Sequence, residues 1–157
     1  MSKTWVGYIT DPSYDFNNPR QPYGIPATYI MRRLEISSFK EAKIRIAALG
    51  VFSLYINGQL VNDDFMSGDC SEYAQVTYYR DYNIRRYLQP GLNTLGVILC
   101  DGWYASNLSQ VGKNVFGPYP LKLFYEIYLD RKLAFTSDGE EWARDGEIRA
   151  CDNQNGI

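Results

Sequence analysis

Polar and apolar residues alternate with a period of two along several short stretches of this 157-residue chain. Lys43-Ile44-Arg45-Ile46-Ala47 shows it cleanly, and so does Leu121–Leu129, where Leu121, Leu123, Tyr125, Ile127 and Leu129 share one face. Successive side chains of a strand point to opposite faces, so this pattern predicts half-buried strands. Trp5–Ile9, Thr28–Ile36, Ala74–Tyr79, Lys132–Phe135 and a segment around Trp142 read as further strands. Asn93–Cys100 is a short apolar run bounded by turn signals, which predicts a central strand.

Turn chemistry punctuates the pattern. Asn57-Gly58 joins Val51–Ile56 to Gln59-Leu60-Val61. Both central residues of a type I′ turn need positive φ, and Asn-Gly supplies them, so a β-hairpin is predicted there. Asp130-Arg131 is expected to turn the 121–129 strand into the next one. Asn83 is expected to cap a single helical turn over Ile84–Leu88, which Gln89-Pro90-Gly91 stops. From Asp11 to Ala27 four prolines and Asn17-Asn18 break the period, which predicts an irregular arm pinned by Tyr14, Phe16 and Tyr23. Asp101–Pro120 is rich in Gly, Asn, Ser and Pro and predicts a long loop. Eight or nine short strands with no internal repeat describe an all-β chain, an antiparallel β-sandwich of the jelly-roll kind. A single domain over 1–157 is expected, with 1–27 as a strand plus irregular arm leading into it.

Composition narrows the chemistry. The 16 basic and 18 acidic residues nearly cancel, which argues against a nucleic-acid partner, since such binders concentrate basic charge. No run approaches the ~20 apolar residues of a membrane span, and the first residues lack the apolar core of a signal peptide. A cytoplasmic location is therefore expected over a secreted one. The chain has no histidine, which removes the commonest general base and metal ligand. Cys70, Cys100 and Cys151 are odd in number and lack CxxC spacing, so thiols are expected rather than a zinc site or a disulfide framework. Fourteen tyrosines, three tryptophans and seven phenylalanines supply core, rim and flat stacking surfaces.

Three phrases resemble one family. Ala48–Asp64 (ALGVFSLYINGQLVNDD) resembles the G-x-Y-x-L-Y-I-N-G-K-x-V-G-D-D phrase of bacterial α-L-rhamnosidases of glycoside hydrolase family 78. Leu88–Tyr104 resembles that family's L-x-P-G-x-N-x-I-G-V-x-L-G-D-G-W-Y, and Lys113–Gly117 its R-N-V-Y-G. The resemblance lies with the family's N-terminal accessory β-sandwich, and it implies a galactose-binding-like jelly roll. The catalytic domain of such enzymes is a separate α/α barrel too large for this chain. The resemblance therefore implies an accessory domain, a fragment of a larger multidomain enzyme, with the catalytic α/α-barrel domain as partner and rhamnose-containing carbohydrate as ligand. Departures occur at Ser67-Gly68-Asp69-Cys70, where the family often has P-G-W-T, and in Asp152–Ile157, which lacks the family's Glu.

Two groups of residues are candidate sites. Asp101, Trp103 and Tyr104 follow a strand end, and with Asn114 they form a candidate carbohydrate-binding edge. An indole stacks on the C–H face of a sugar, while a carboxylate accepts hydrogen bonds from its hydroxyls. The alternative gives Trp103 the role of a plug in the sandwich's end and Asp101 that of a loop cap. Asp63 and Asp64, with Asn62 and the carbonyls of 114–118, offer oxygen ligands for Ca2+; the alternative is a solvated turn. Glycoside hydrolysis needs two carboxylates placed across a cleft, and no spacing singles out such a pair, so the chain alone is not expected to be catalytic. Two other readings stay open: a structural domain that only packs against its neighbour, and a stand-alone lectin.

Overall fold

The computed structural model describes residues 3–8, 26–64, 67–106, 116–117 and 120–148. The strands in chain order are β1 (Val6–Gly7), β2 (Thr28–Ile36), β3 (Ala42–Leu49), β4 (Val51–Ile56), β5 (Gln59–Leu60), β6 (Arg80–Asn83), β7 (Gly91–Cys100), β8 (Lys122–Leu129), β9 (Lys132–Thr136) and β10 (Trp142–Asp145). They form two five-stranded antiparallel sheets packed as a β-sandwich. Sheet 1 runs β1-β8-β3-β6, with β9 also paired to β8, and sheet 2 runs β10-β2-β7-β4-β5.

Alternation in the sequence becomes alternation in burial. In β2 the buried residues are Thr28, Ile30, Arg32, Leu34 and Ile36, and the residues between them face outward. Ile44 and Ile46 of β3, Leu54 and Ile56 of β4, Leu95 and Leu99 of β7, and Leu123, Tyr125 and Ile127 of β8 close the core from both sides. Burying each such side chain stabilises the fold by about 1.5–3 kcal/mol, which is why the register holds.

Arg32 breaks the apolar inner face of sheet 2. Its guanidinium donates to the Thr136 carbonyl (2.6 Å), to both oxygens of Asp138 (2.8 and 3.1 Å), to Glu141 (3.2 Å) and to the Tyr125 hydroxyl (3.2 Å). Burial opposes its charge, but the hydrogen bonds it donates to Asp138 and Tyr125 outweigh that and hold the guanidinium protonated. The Tyr125 hydroxyl donates to Glu141 at 2.6 Å, and burial above all pushes its pKa well up. This network ties the β8–β9 side of sheet 1 to β2 across the core.

The Asn57-Gly58 hairpin forms as expected, with φ of 51° and 77°. Asn57 does more than turn the chain. Its side chain accepts from the Thr94 amide (2.9 Å) and donates to the Tyr87 carbonyl (2.9 Å) and Asn93 (2.8 Å), pinning the hairpin tip to β7. Asp130 and Arg131 also turn with positive φ, and the Asp130 carboxylate accepts from the Lys40 and Glu41 amides. The helical turn is a 3-10 turn over Arg85–Tyr87 whose N-cap is Ile84 rather than Asn83; Asn83, one residue earlier, accepts from the Arg85 amide (3.0 Å).

Two expectations change. Ala74–Tyr79 is not a strand: Tyr73–Gln75 is a turn, and pairing begins only at Arg80. Val76, Tyr78 and Tyr79 are all exposed, so this stretch has no inward face to pair and bury. The segment after β7 opens with a short helix, α1 (Gly102–Ala105), before any loop. Residues 11–25 of the irregular arm lie outside the described residues.

Candidate carbohydrate-contact rim

One end of the sandwich is built by close approach of three backbone segments. Gly102 takes φ +53° directly after β7, and a Cβ there would strike Val51 at the start of β4. Gly68, at φ +128°, lies so near that a Cβ would strike the Gly50 carbonyl. The Phe52 amide donates to the Ser67 carbonyl at 2.7 Å, carrying the 67–68 segment alongside β4. Only glycine allows both the conformation and the contact at these two positions.

Asn62 locks this junction. Its side chain accepts from the Leu54 amide (2.6 Å) and donates to the Phe52 carbonyl (3.3 Å) and the Ser67 hydroxyl (2.6 Å), and it is buried. Its amide is thus committed to the backbone of β4, whereas Asp63 and Asp64 turn outward and are exposed. Asp64 accepts from the Tyr82 hydroxyl at 2.6 Å and lies 3.7 Å from Arg80, which also pairs with Asp69 at 2.7 Å. Burial first, and then the Asp64 carboxylate, push the Tyr82 hydroxyl up to about 12. Among the described residues no group of three or more Asp, Glu, Cys or His side chains is placed to hold a metal ion. Asn114 and Pro118, which the calcium and sugar expectations also use, lie outside the described residues.

The structure brings Asp101, Trp103 and Tyr104 to this same end through α1, and it separates their roles by burial. Asp101 is 5% exposed and Tyr104 6%, whereas Trp103 is 39% exposed. Tyr104, not Trp103, plugs the sandwich's end. Its ring meets Tyr73 edge-on at 5.1 Å between centroids, and Tyr73 in turn lies 5.7 Å from Phe116. The Tyr73 hydroxyl donates to the Asp69 carbonyl (2.8 Å), and burial pushes it up to about 12. Gly117 sits against the Tyr104 ring where a Cβ would collide.

Phe116 is 42% exposed, so among the described residues Trp103 and Phe116 are aromatic surfaces a ligand can reach here. Tyr73 and Phe116 were not legible as site residues from spacing. The signal was present only in the Lys113–Gly117 phrase and in the turn that carries Tyr73. Cys70 is exposed and Cys100 half-buried, and neither forms a disulfide among the described residues.

The described residues thus define a two-sheet antiparallel β-sandwich with the Asp-Gly-Trp-Tyr segment at the end of β7. Residues 37–154 match the family model for the α-L-rhamnosidase N-terminal domain, and the chain belongs to that family. It is 28% identical over 127 residues to an α-L-rhamnosidase of Streptomyces avermitilis, covering 79% of this chain and 12% of the relative. An α-L-rhamnosidase of Formosa agariphila is 33% identical over 92 residues, covering 58% of this chain and 10% of the relative. The chain thus spans about an eighth or less of the curated relatives it matches. The same fold occurs in the crystal structure of the S. avermitilis α-L-rhamnosidase complexed with L-rhamnose, with TM-score 0.79 at 23% identity, covering 86% of this chain and 14% of that one. It occurs again in an α-L-rhamnosidase from Aspergillus terreus, with TM-score 0.76 at 24% identity over 85% of this chain and 17% of that one.

Proposed function

We propose that this domain is a non-catalytic accessory module of an α-L-rhamnosidase-like glycoside hydrolase, one that supports a catalytic barrel and contacts rhamnose-containing glycans at its rim. The observation that carries this reading is the match of residues 37–154 to the rhamnosidase N-terminal family. The exposed Trp103 indole supports the contact, because it offers a flat apolar face at the end of β7, rigidly mounted on the Gly102 junction. Asp101 and Tyr104 position that indole from the buried side, and Asn114 completes the edge in this reading. For Ca2+ to join the site, Asp63 and Asp64 would need further oxygen ligands, since among the described residues no third acidic side chain lies with them.

Calorimetric titration of the chain with L-rhamnose, in Ca2+ and then in chelator, tests the reading. Saturable heat supports sugar contact, and its loss in chelator supports the ion. Absence of heat in both conditions leaves the domain a packing role alone. Turnover of an aryl rhamnoside by this chain would contradict the non-catalytic assignment.

A further inference from the structure

The outward face of sheet 2 carries a groove of about 640 Å3, and none of its lining residues belongs to the rim. Strand register aligns its centre: Trp142 lies opposite Met31, Met31 opposite Gly96, and Gly96 opposite Tyr55. Three strand spacings of about 4.8 Å put the two aromatic ends roughly 14 Å apart. Gly96 forms the floor between them.

The domain's own packing does not require that glycine. Its φ is not positive, and a Cβ there would meet nothing nearer than the Tyr55 Cβ at 3.7 Å, an ordinary contact. Glycine inside a strand costs about 0.5–1 kcal/mol relative to alanine, and its usual meaning in a central strand is close approach by a ligand or another chain.

The walls are aromatic and the margin is cationic. Trp142 is 59% exposed, the Arg33 guanidinium lies 5.1 Å from its ring centroid, and Arg144 follows on the same strand face. Among the described residues no carboxylate pairs with Arg33 or Arg144. Guanidinium groups stay charged and bind carboxylates in a bidentate fork, so two unpaired ones beside an aromatic groove select an anionic occupant with flat apolar faces. An acidic sugar has both properties. A protein surface with carboxylates is the competing occupant, but it needs a patch to cover, whereas this face is an open channel whose floor drops at Gly96 between Met31 and Tyr55.

We propose that this groove binds an acidic oligosaccharide, with sugar rings stacked along the Trp142–Tyr55 row over Gly96 and uronate carboxylates on Arg33 and Arg144. The inference goes beyond the rim reading and does not depend on it. The test is calorimetric titration of the whole chain with trigalacturonate and with its methyl ester. The acid binds and the ester does not. Trp142→Ala and the pair Arg33→Gln with Arg144→Gln each weaken binding about tenfold, Gly96→Val blocks it, and Trp103→Ala leaves it unchanged. Circular dichroism confirms that these exposed-face variants fold. The proposal is overturned if the acid gives no heat, if acid and ester bind alike, or if Trp103→Ala rather than Trp142→Ala removes binding. It is also overturned if the chain self-associates in sedimentation through Trp142 and ignores the sugar, which would make the face a protein interface.

Discussion

The two sheets share one inner design and differ on their outer faces. Sheet 1 carries a charge ladder on its outer side, with Glu126 covered by Lys3. Glu126 lies opposite Arg45, which lies opposite Asp81, and Asp81 accepts from Arg45 (3.0 and 3.2 Å) and from Lys43 (3.1 Å). Lys3 pairs with Glu126, and the Tyr79 and Tyr128 rings lie beside Arg45 and Lys43. Sheet 2 shows Trp142, Met31, Gly96 and Tyr55 in a row, with Arg33 over the Trp142 ring and Arg144 beside it, and among the described residues neither guanidinium has a carboxylate partner. A face whose charges are compensated among themselves is finished in water. A face with exposed aromatics and uncompensated cations is finished only by something else.

That contrast can be broken at several strengths. The largest effect lies beneath sheet 2. Arg32→Met strips the cation from Asp138 and the buried Glu141, and it should lower the unfolding free energy by about 3–5 kcal/mol in urea. An unchanged midpoint would show that the network is dispensable. Next, Asn62→Ala should cost about 1–3 kcal/mol, because the Leu54 amide and Phe52 carbonyl lose their buried partner. Exchange of the Leu54 amide should accelerate with it.

On the outer face of sheet 1 the effect is small. Arg45 and Lys43 hold the Asp81 carboxyl below the usual carboxylate range. A depressed folded pKa means stability that is present at neutral pH and lost as pH falls through the acidic range. Asp81→Asn should remove that part of the acid dependence and cost under about 1 kcal/mol, and salt should reduce it further. Smallest of all, Gly96→Val should leave stability unchanged or raise it by about 0.5 kcal/mol, since the strand gains a β-former and a Cβ there meets nothing nearer than the Tyr55 Cβ at 3.7 Å. A marked loss would mean that the fold itself needs the glycine.

The inner faces were the legible part. Period-two alternation marks β3 and β8 because burial leaves a repeating trace in residue type. Asn57-Gly58 is legible because few residues tolerate positive φ, whereas Asp130-Arg131 is legible only from the break between two strand patterns, since arginine gives no positive-φ signal. Ala74–Tyr79 misled because aromatic content imitates a strand even where no sheet is there to receive it. The candidate site was legible only as residue types. Asp101, Trp103 and Tyr104 stood out in sequence, but one short helix decides which is buried, and spacing does not encode that turn. The groove on sheet 2 was not legible, since Trp142, Met31, Gly96 and Tyr55 come from four strands that only the register aligns.

The chain has three tryptophans, so three indole N–H signals report on it separately in a nitrogen-15 correlation spectrum. Titration with L-rhamnose is the most direct test of the rim. The account predicts that the Trp103 signal moves and saturates while the Trp142 signal stays in place. Movement of Trp142 alone, or of no indole at all, would contradict it.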